Sequence, residues 1–413
     1  MTSLAATFFF PAVSAGNRKY GNGAPRDASG SRLLRENHYM NRRVNVIGVG
    51  MTPFTVPGVG GRYYDLAAEA GRLALQDAGI EYRRVEAAYA GFVHGDSLSG
   101  QRGVAELGLT GIPIINVSNQ GASGSTALYL ARQAIEHGIA ECVLAVGFET
   151  PSAESAGQHR QDGESPMATE LCARAAREYM QRYGARKETF AMIAVKSREH
   201  AALNPYALHR QPLSLETVLE EEVCAPLTRL QYCSSACGAA AVVLCSDEFA
   251  RNRGINDPVY IAAQAMTTDL SGNFSEDCAN RALGYELGFA AARDVYERAG
   301  IGPEEVDVCE LHDGSTASEI LLYEALGFCR QGDAEKLVED GDNTYGGNRV
   351  INPSGGLLSM GHPLGATGLA QCAELVWQLR GTAANRQVPY ARVALQHNIS
   401  IGGACVVTMY RCD

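Results

Sequence analysis

The segment Asn119-Gln120-Gly121-Ala122-Ser123-Gly124-Ser125 is the part of the chain best suited to chemistry. A strand-like run (Ile112, Ile114, Ile115, Val117) leads into it, and a good helix pattern from Thr126 to Arg132 follows. Small residues at a strand-to-helix turn let a ligand approach the backbone closely, and the start of the helix offers unpaired N–H groups. Chemistry at this turn rests on backbone donors, because Gly121 at its tip has no side chain. Two histidine-bearing segments follow later in the chain, His312-Asp313-Gly314-Ser315 and Gly361-His362-Pro363. The twelve cysteines do not read as a metal site or a disulfide framework. Most lie in apolar runs (Cys142, Cys245, Cys309, Cys372, Cys405), as reduced buried thiols do. The closest cluster, Cys224, Cys233, Cys237 and Cys245, lacks the paired C-x-x-C knuckles of a zinc site.

The elements that must position these residues come in two similar sets. Val44 to Gly50 is an apolar run ending in glycine and reads as a buried strand. A helix is expected from about Tyr64 to Ala78, stopped by Gly79, with a strand-like run from Val85 to Val93 after it. The phrase Asp77-Ala78-Gly79-Ile80 then Val85 is echoed by Arg298-Ala299-Gly300-Ile301 then Val306. This internal repeat of α/β units implies two halves of like architecture, which suits 413 residues. The expected division is an extension over 1–43, a first half over 44–250 and a second half over 251–413. Residues from about 150 to 230 carry polar-faced helical segments and an Arg/His-rich loop (His200, His209, Arg210). They read as a subdomain inserted over the site.

Composition excludes several function classes. A net charge of -11 argues against nucleic acid as the main partner, since phosphate contacts need Lys and Arg. No apolar run approaches the length of a membrane span. Residues 1–43 hold Arg18, Lys19, Arg26, Arg32, Arg35, Arg42 and Arg43 against only Asp27 and Glu36. That suits a mitochondrial transit peptide, and equally a disordered extension or over-long start. The expected location is mitochondrial in the first case and cytoplasmic otherwise. The final Arg411-Cys412-Asp413 is not a peroxisomal tripeptide.

Longer motifs carry a family resemblance. Asp342-Asn343-Thr344-Tyr345-Gly346-Gly347 leads to Ile351-Asn352-Pro353-Ser354-Gly355-Gly356, then to Gly361-His362-Pro363-Leu364-Gly365-Ala366-Thr367-Gly368. Gln396-His397-Asn398-Ile399-Ser400-Ile401-Gly402-Gly403 closes the series. With Val46 to Thr52 and Gly111 to Asn116, these resemble thiolases, most closely the sterol-carrier-protein-2-type branch, over residues 44 to 410. The resemblance implies an α/β thiolase fold, with two repeated βαβαβαββ halves in a five-layered αβαβα sandwich and an inserted loop domain. It implies a homodimer or tetramer acting on an acyl-CoA, with coenzyme A part of the substrate and no tightly bound cofactor.

The resemblance also assigns roles by position. The family's nucleophilic cysteine falls at Gly121, and the acid/base cysteine of the branch at Gly314; classical thiolases place theirs at the position of Ser400. None of the three is a thiol. His362 is implied to activate a nucleophile or hold a thioester oxygen, with His312 assisting. The N–H groups of Gly121 and Gly402 are implied to form a second oxyanion hole, which needs no side chain. Cys237 stands where the family often has aspartate. Covalent thiolysis is therefore expected to be impaired. One reading is an enzyme of non-covalent carbon–carbon chemistry, retro-aldol or decarboxylation, on a 3-oxo- or 3-hydroxyacyl-CoA. Superfamily aldolases that work with a small OB-fold subunit make such a partner possible. The other reading is a non-catalytic acyl-CoA-binding protein of lipid metabolism.

Overall fold

A computed structural model describes residues 42–152, 166–256, 258–269 and 279–413. Almost all of the expected N-terminal extension, and part of the expected inserted subdomain from about 150 to 230, fall outside them.

Each half builds one five-stranded sheet. The first comprises β1 (Val44–Met51), β2 (Ala87–Gly91), β3 (Ile114–Val117), β4 (Cys142–Glu149) and β7 (Gly238–Ser246). The second comprises β8 (Val259–Thr268), β9 (Val308–Glu310), β10 (Val350–Ile351), β11 (Val393–Ile399) and β12 (Ala404–Arg411). The spatial order is β3-β2-β4-β7-β1 in one half and β10-β9-β11-β12-β8 in the other, the same order twice. The internal repeat read from Ala-Gly-Ile is thus a repeat of topology. The two sheets meet where Asn45 and Val46 pair with Tyr260 and Val259, which makes the ten strands continuous at one end.

Helices α1 (Tyr63–Asp77) and α2 (Ser99–Ala105) follow β1 and β2, and α3 (Ser123–Glu136) follows β3. Residues 82–84 form a short 3-10 turn, so β2 begins later than the apolar run from Val85 suggests. In the second half the equivalents are α7 (Tyr285–Ala299), α8 (Thr316–Ala325) and α10 (Thr367–Arg380). A short α9 (Gly356–Met360) precedes the last of these. Helices α3 and α10 pack on each other between the sheets, while α1, α2, α7 and α8 cover the outer faces. The result is five layers. Strands β4 and β7 are buried at every position because helices cover both of their faces.

Glycine sets the spacing of the central layer. A Cβ on Gly124 would stand 2.7 Å from the carbonyl oxygen of Gly365, and one on Gly368 would stand 2.5 Å from Ser125 N. Only bare Cα atoms let the two helix starts approach this closely. They emerge side by side, with Gly121 just before α3 and His362 just before α10.

Between β4 and β7 the chain inserts α4 (Pro166–Tyr183), α5 (Lys187–Ala202), α6 (Leu215–Leu219) and the hairpin β5–β6 (Glu222–Cys224, Leu227–Thr228). The corresponding β11–β12 link is only a tight turn at residues 400–403. The insertion leaves the first half but packs on the second. Tyr179, Phe190 and Ile193 share one apolar cluster with Leu322 and Tyr323 of α8, and Tyr179 donates to Glu324 at 2.6 Å. Lys196 of α5 forms a buried ion pair with Glu319 of α8, whose carboxylate also accepts from Tyr323. Removing one member of such a pair leaves an unpaired buried charge. Lys196→Met is expected to lower stability by about 3–5 kcal/mol, with much of that recovered when Glu319→Leu is added. The shift of the urea midpoint measures both.

Candidate functional site

Gly121, His312 and His362 converge at the strand C-terminal ends, where loops enter α3, α8 and α10. A Cβ on Gly121 would lie 3.1 Å from His362 Nε2 and 3.2 Å from His312 Cε1, tighter than a side chain ordinarily sits. Both imidazoles therefore face the bare Cα. Their rings stand edge to face, 4.9 Å apart at 88°. Gln120 holds a φ of 48°, uncommon for a residue with a Cβ, so the turn presenting Gly121 is sharp. Ser123 fixes it: its hydroxyl donates to Gln120 O at 2.6 Å and accepts from Asn119 N at 2.9 Å.

Neighbouring hydrogen bonds set different tautomers on the two rings. The Thr367 hydroxyl donates to Pro363 O at 3.1 Å, so its oxygen accepts from His362 Nδ1 at 2.7 Å. His362 thus carries its proton on Nδ1 and turns the lone pair of Nε2 toward Gly121. The Asn398 amide nitrogen lies 2.9 Å from His312 Nδ1, and with the amide donating there the His312 proton is on Nε2. Burial holds both rings neutral. It lowers His362 to about 4, and it drives His312 well below the usual histidine range, with lesser contributions from His362 and His397. One ring offers a base and the other a donor.

The loops bearing these rings are tied together from behind. Asp313 accepts from Leu357 N at 2.7 Å and Leu358 N at 3.3 Å, joining the His312 loop to α9, which runs into Gly361-His362. Asn352 accepts from Leu311 N at 2.8 Å. The segment returning from the insertion clamps both loops: Cys233 N donates to Gly314 O at 3.0 Å and His362 N donates to Ser234 O at 2.8 Å. His209 Nε2 lies 3.1 Å from Ser234 Oγ, so the inserted helices reach the site through this clamp.

The other residues singled out in the sequence make their hydrogen bonds within their own loops or to the insertion. Gly314 is buried, and its carbonyl is taken by Cys233. Ser400 is buried, and its N–H donates to Ala404 O at 3.0 Å within the β11–β12 turn. Gly402 is exposed in that turn with a φ of 70°. Among the described residues no hydrogen bond joins Ser400 or Gly402 to the histidines; the link runs through Asn398. Ser315 caps α8 by accepting from Ser318 N at 3.1 Å. Cys237 contacts Thr55, Gly60 and Pro151 rather than the histidines, and burial pushes its thiol up. Among the described residues no group of three or more His, Cys, Asp or Glu side chains could hold a metal. Thr367, Asn398 and Ser234 were not singled out in the sequence. The first two lie inside the Gly-His-Pro and Gln-His-Asn motifs, but their partners become visible only in three dimensions.

Comparisons with known proteins agree with the fold. Residues 44–212 match the thiolase N-terminal domain family, and residues 279–409 the thiolase C-terminal domain-like family. The chain is 50% identical over 393 residues to sterol carrier protein 2 of Homo sapiens, covering 90% of this chain and 72% of that protein. It is 37% identical over 382 residues to the benzoylsuccinyl-CoA thiolase subunit BbsB of Thauera aromatica, covering 89% and 96%. Among solved structures, the Ltp2–ChsH2(DUF35) aldolase superposes with a TM-score of 0.77 at 26% identity, covering 91% of this chain and 99% of that one. Human mitochondrial 3-ketoacyl-CoA thiolase, at 17% identity and a TM-score of 0.70 over 90% and 99%, shares the fold. With these matches and the doubled topology, the chain belongs to the thiolase superfamily, in its sterol-carrier-protein-2-type branch.

Proposed function

We propose that the site binds a CoA thioester and cleaves a carbon–carbon bond without a covalent acyl-enzyme, by retro-aldol reaction of a 3-hydroxyacyl-CoA. The observation that carries this reading is the placement of two buried histidines on either side of a bare Gly121, with partners that suit His362 Nε2 to accept a proton and His312 Nε2 to donate one. A retro-aldol step needs a base for the C3 hydroxyl and a donor for the thioester oxygen. In the proposed step His362 Nε2 takes the hydroxyl proton and the C3–O bond becomes a carbonyl. The C2–C3 bond breaks, and its electron pair moves through C2 onto the thioester oxygen. His312 Nε2–H holds that oxygen, with the N–H of Gly121 or Gly402 as a further donor. His362 then returns its proton to C2, releasing a shorter acyl-CoA and an aldehyde or ketone. A decarboxylation would leave His362 without a proton to remove. Thiolysis would need an attacking thiol where Gly121 stands.

The partner proposed is a small subunit of the DUF35 kind, on the likeness to the Ltp2–ChsH2(DUF35) aldolase. A homodimer is proposed to form along the sheet edge, where β3 is the outermost strand and Ile115 is 38% exposed. An unpaired strand edge is a ready template for a second copy.

Turnover of a 3-hydroxyacyl-CoA, followed by mass spectrometry of the products, tests the central reading. His362→Ala is expected to lower kcat by roughly 10²–10⁴-fold while leaving the ligand bound. Binding without any product in the wild-type protein would favour the non-catalytic reading. The pH profile gives a second check. The active base is neutral His362, so activity should hold as pH falls through ~6.5, the ordinary histidine value. It should decline only near the lowered value of about 4. Gly121→Cys is expected to form a trapped acyl adduct with acetoacetyl-CoA, seen as added mass, whereas the wild-type protein forms none. Ile115→Lys is expected to shift the dimer toward monomer in analytical ultracentrifugation.

A further inference from the structure

The loop from Gly361 to Thr367 carries His362 from the second half into a socket built by the first. A Cβ on Gly365 would stand 2.4 Å from Phe148 O, 2.7 Å from Gly91 O and 2.7 Å from Phe92 Cα. One on Gly147 would stand 2.2 Å from Gly365 O. The loop therefore lies directly on the C-terminal ends of β2 and β4, with bare Cα atoms on both sides of the contact. Packing of this kind limits how deep the loop can sit, but it supplies no directional bond.

The directional bond comes from one buried side chain. Glu149, the last residue of β4, is 1% exposed, and its ion-pair partner among the described residues is His94 alone. Its carboxylate gathers donors from two loops. Oε2 accepts from Gly365 N at 3.1 Å and from Val93 N at 3.1 Å. Oε1 accepts from His94 N at 2.9 Å, and the ring Nδ1 of His94 lies 3.3 Å away. Four nitrogens thus surround two oxygens, which uses the accepting capacity of a carboxylate in full. Among the described residues, Glu149 is the one side chain outside the loop that hydrogen-bonds it; the others run within it, from His362 to Thr367 and from Thr367 to Pro363. The tied residue, Gly365, lies between His362 and Thr367, the residue whose hydroxyl holds the His362 ring through Nδ1. Lifting Gly365 off β4 would shift both ends of that bond and open the buried ring to water.

We infer that Glu149 is a positioning residue for His362: its carboxylate fixes Gly365 against β4 and so holds the imidazole at Gly121, away from water. The kinetic side of this inference rests on the proposed role of His362 as base. What the loop requires is an acceptor of the right reach rather than a charge. A glutamine at 149 can keep its oxygen on Val93 N and Gly365 N and turn its NH₂ toward His94, whose Nδ1 can accept; only His94 N then loses its partner. An aspartate keeps the charge but stops one methylene short of Gly365.

The test is NMR of the ring nitrogens in the full chain made with isotope-labelled histidine, with His362 assigned from His362→Gln. Spectra are recorded from about pH 5 to about pH 8, where an ordinary histidine changes charge. Wild-type His362 should stay neutral throughout, since burial lowers it to about 4. In Glu149→Ala and Glu149→Asp its midpoint should rise into that range, toward ~6.5, as water reaches the ring. Glu149→Gln should keep the wild-type trace. On a 3-hydroxyacyl-CoA, kcat should fall by up to about 10²-fold in the Ala and Asp variants with KM held, and recover in Glu149→Gln. Glu149→Ala leaves buried N–H groups bare, so Glu149→Asp carries the test if the alanine variant does not fold. A His362 that stays neutral in folded Glu149→Asp protein would overturn the inference, as would a Glu149→Gln protein in which it titrates as in Glu149→Asp. The NMR signal needs no substrate. A wild-type protein without turnover would therefore refute the proposed reaction, while the titrations still decide whether Glu149 positions the ring.

Discussion

The close approach of two helix starts, allowed by Gly124 and Gly368, is the constraint on which the rest of the molecule depends. At 2.5–2.7 Å from a virtual Cβ to the opposite backbone, no other residue fits either position without moving a helix. The contact sets the spacing of the two sheets. It also brings the turn before α3 and the loop before α10 to one end of the molecule. A residue from each half can then face the same small volume. Neither half alone could place His362 against Gly121, which is a physical reason for the doubling.

What stands on that frame is an electrically quiet site in a strongly polar setting. Lys196, Glu319, Asp313 and Asn352 are buried behind it, and their hydrogen bonds hold the loops rather than facing Gly121. The two rings that face it are kept neutral by burial and differ in which nitrogen bears the proton. That difference comes from Thr367 and Asn398, two uncharged groups that each contact one ring. Preorganised donors in a water-poor site act without reorganising when charge develops. On the proposed reading, such donors without a thiol serve proton transfer and oxyanion binding with no covalent step.

Much of this was legible in the sequence, where a local pattern fixes a local outcome. Ala-Gly-Ile ending two helices reported the repeat, and small residues around Gly121 reported a tight strand-to-helix turn. Gly-His-Pro and His-Asp-Gly marked the two histidine loops. Pairings between distant segments were not legible. Nothing local in Lys196 announces Glu319, and nothing in Cys233-Ser234 announces that this segment clamps both loops. Gly402 and Ser400 sit in the expected motif, but the hydrogen bond from that segment to a histidine is made by Asn398.

The most direct test of a thioester-enolate site without a nucleophile is hydrogen exchange at C2. Acetyl-CoA would be incubated with the protein in deuterium oxide, and its methyl signal followed by NMR while the intact protein mass is recorded. Loss of the methyl protons, abolished in His362→Ala and accompanied by no added mass on the protein, is the expected result. Bound acetyl-CoA that keeps its protons, or an acetylated protein, would contradict it.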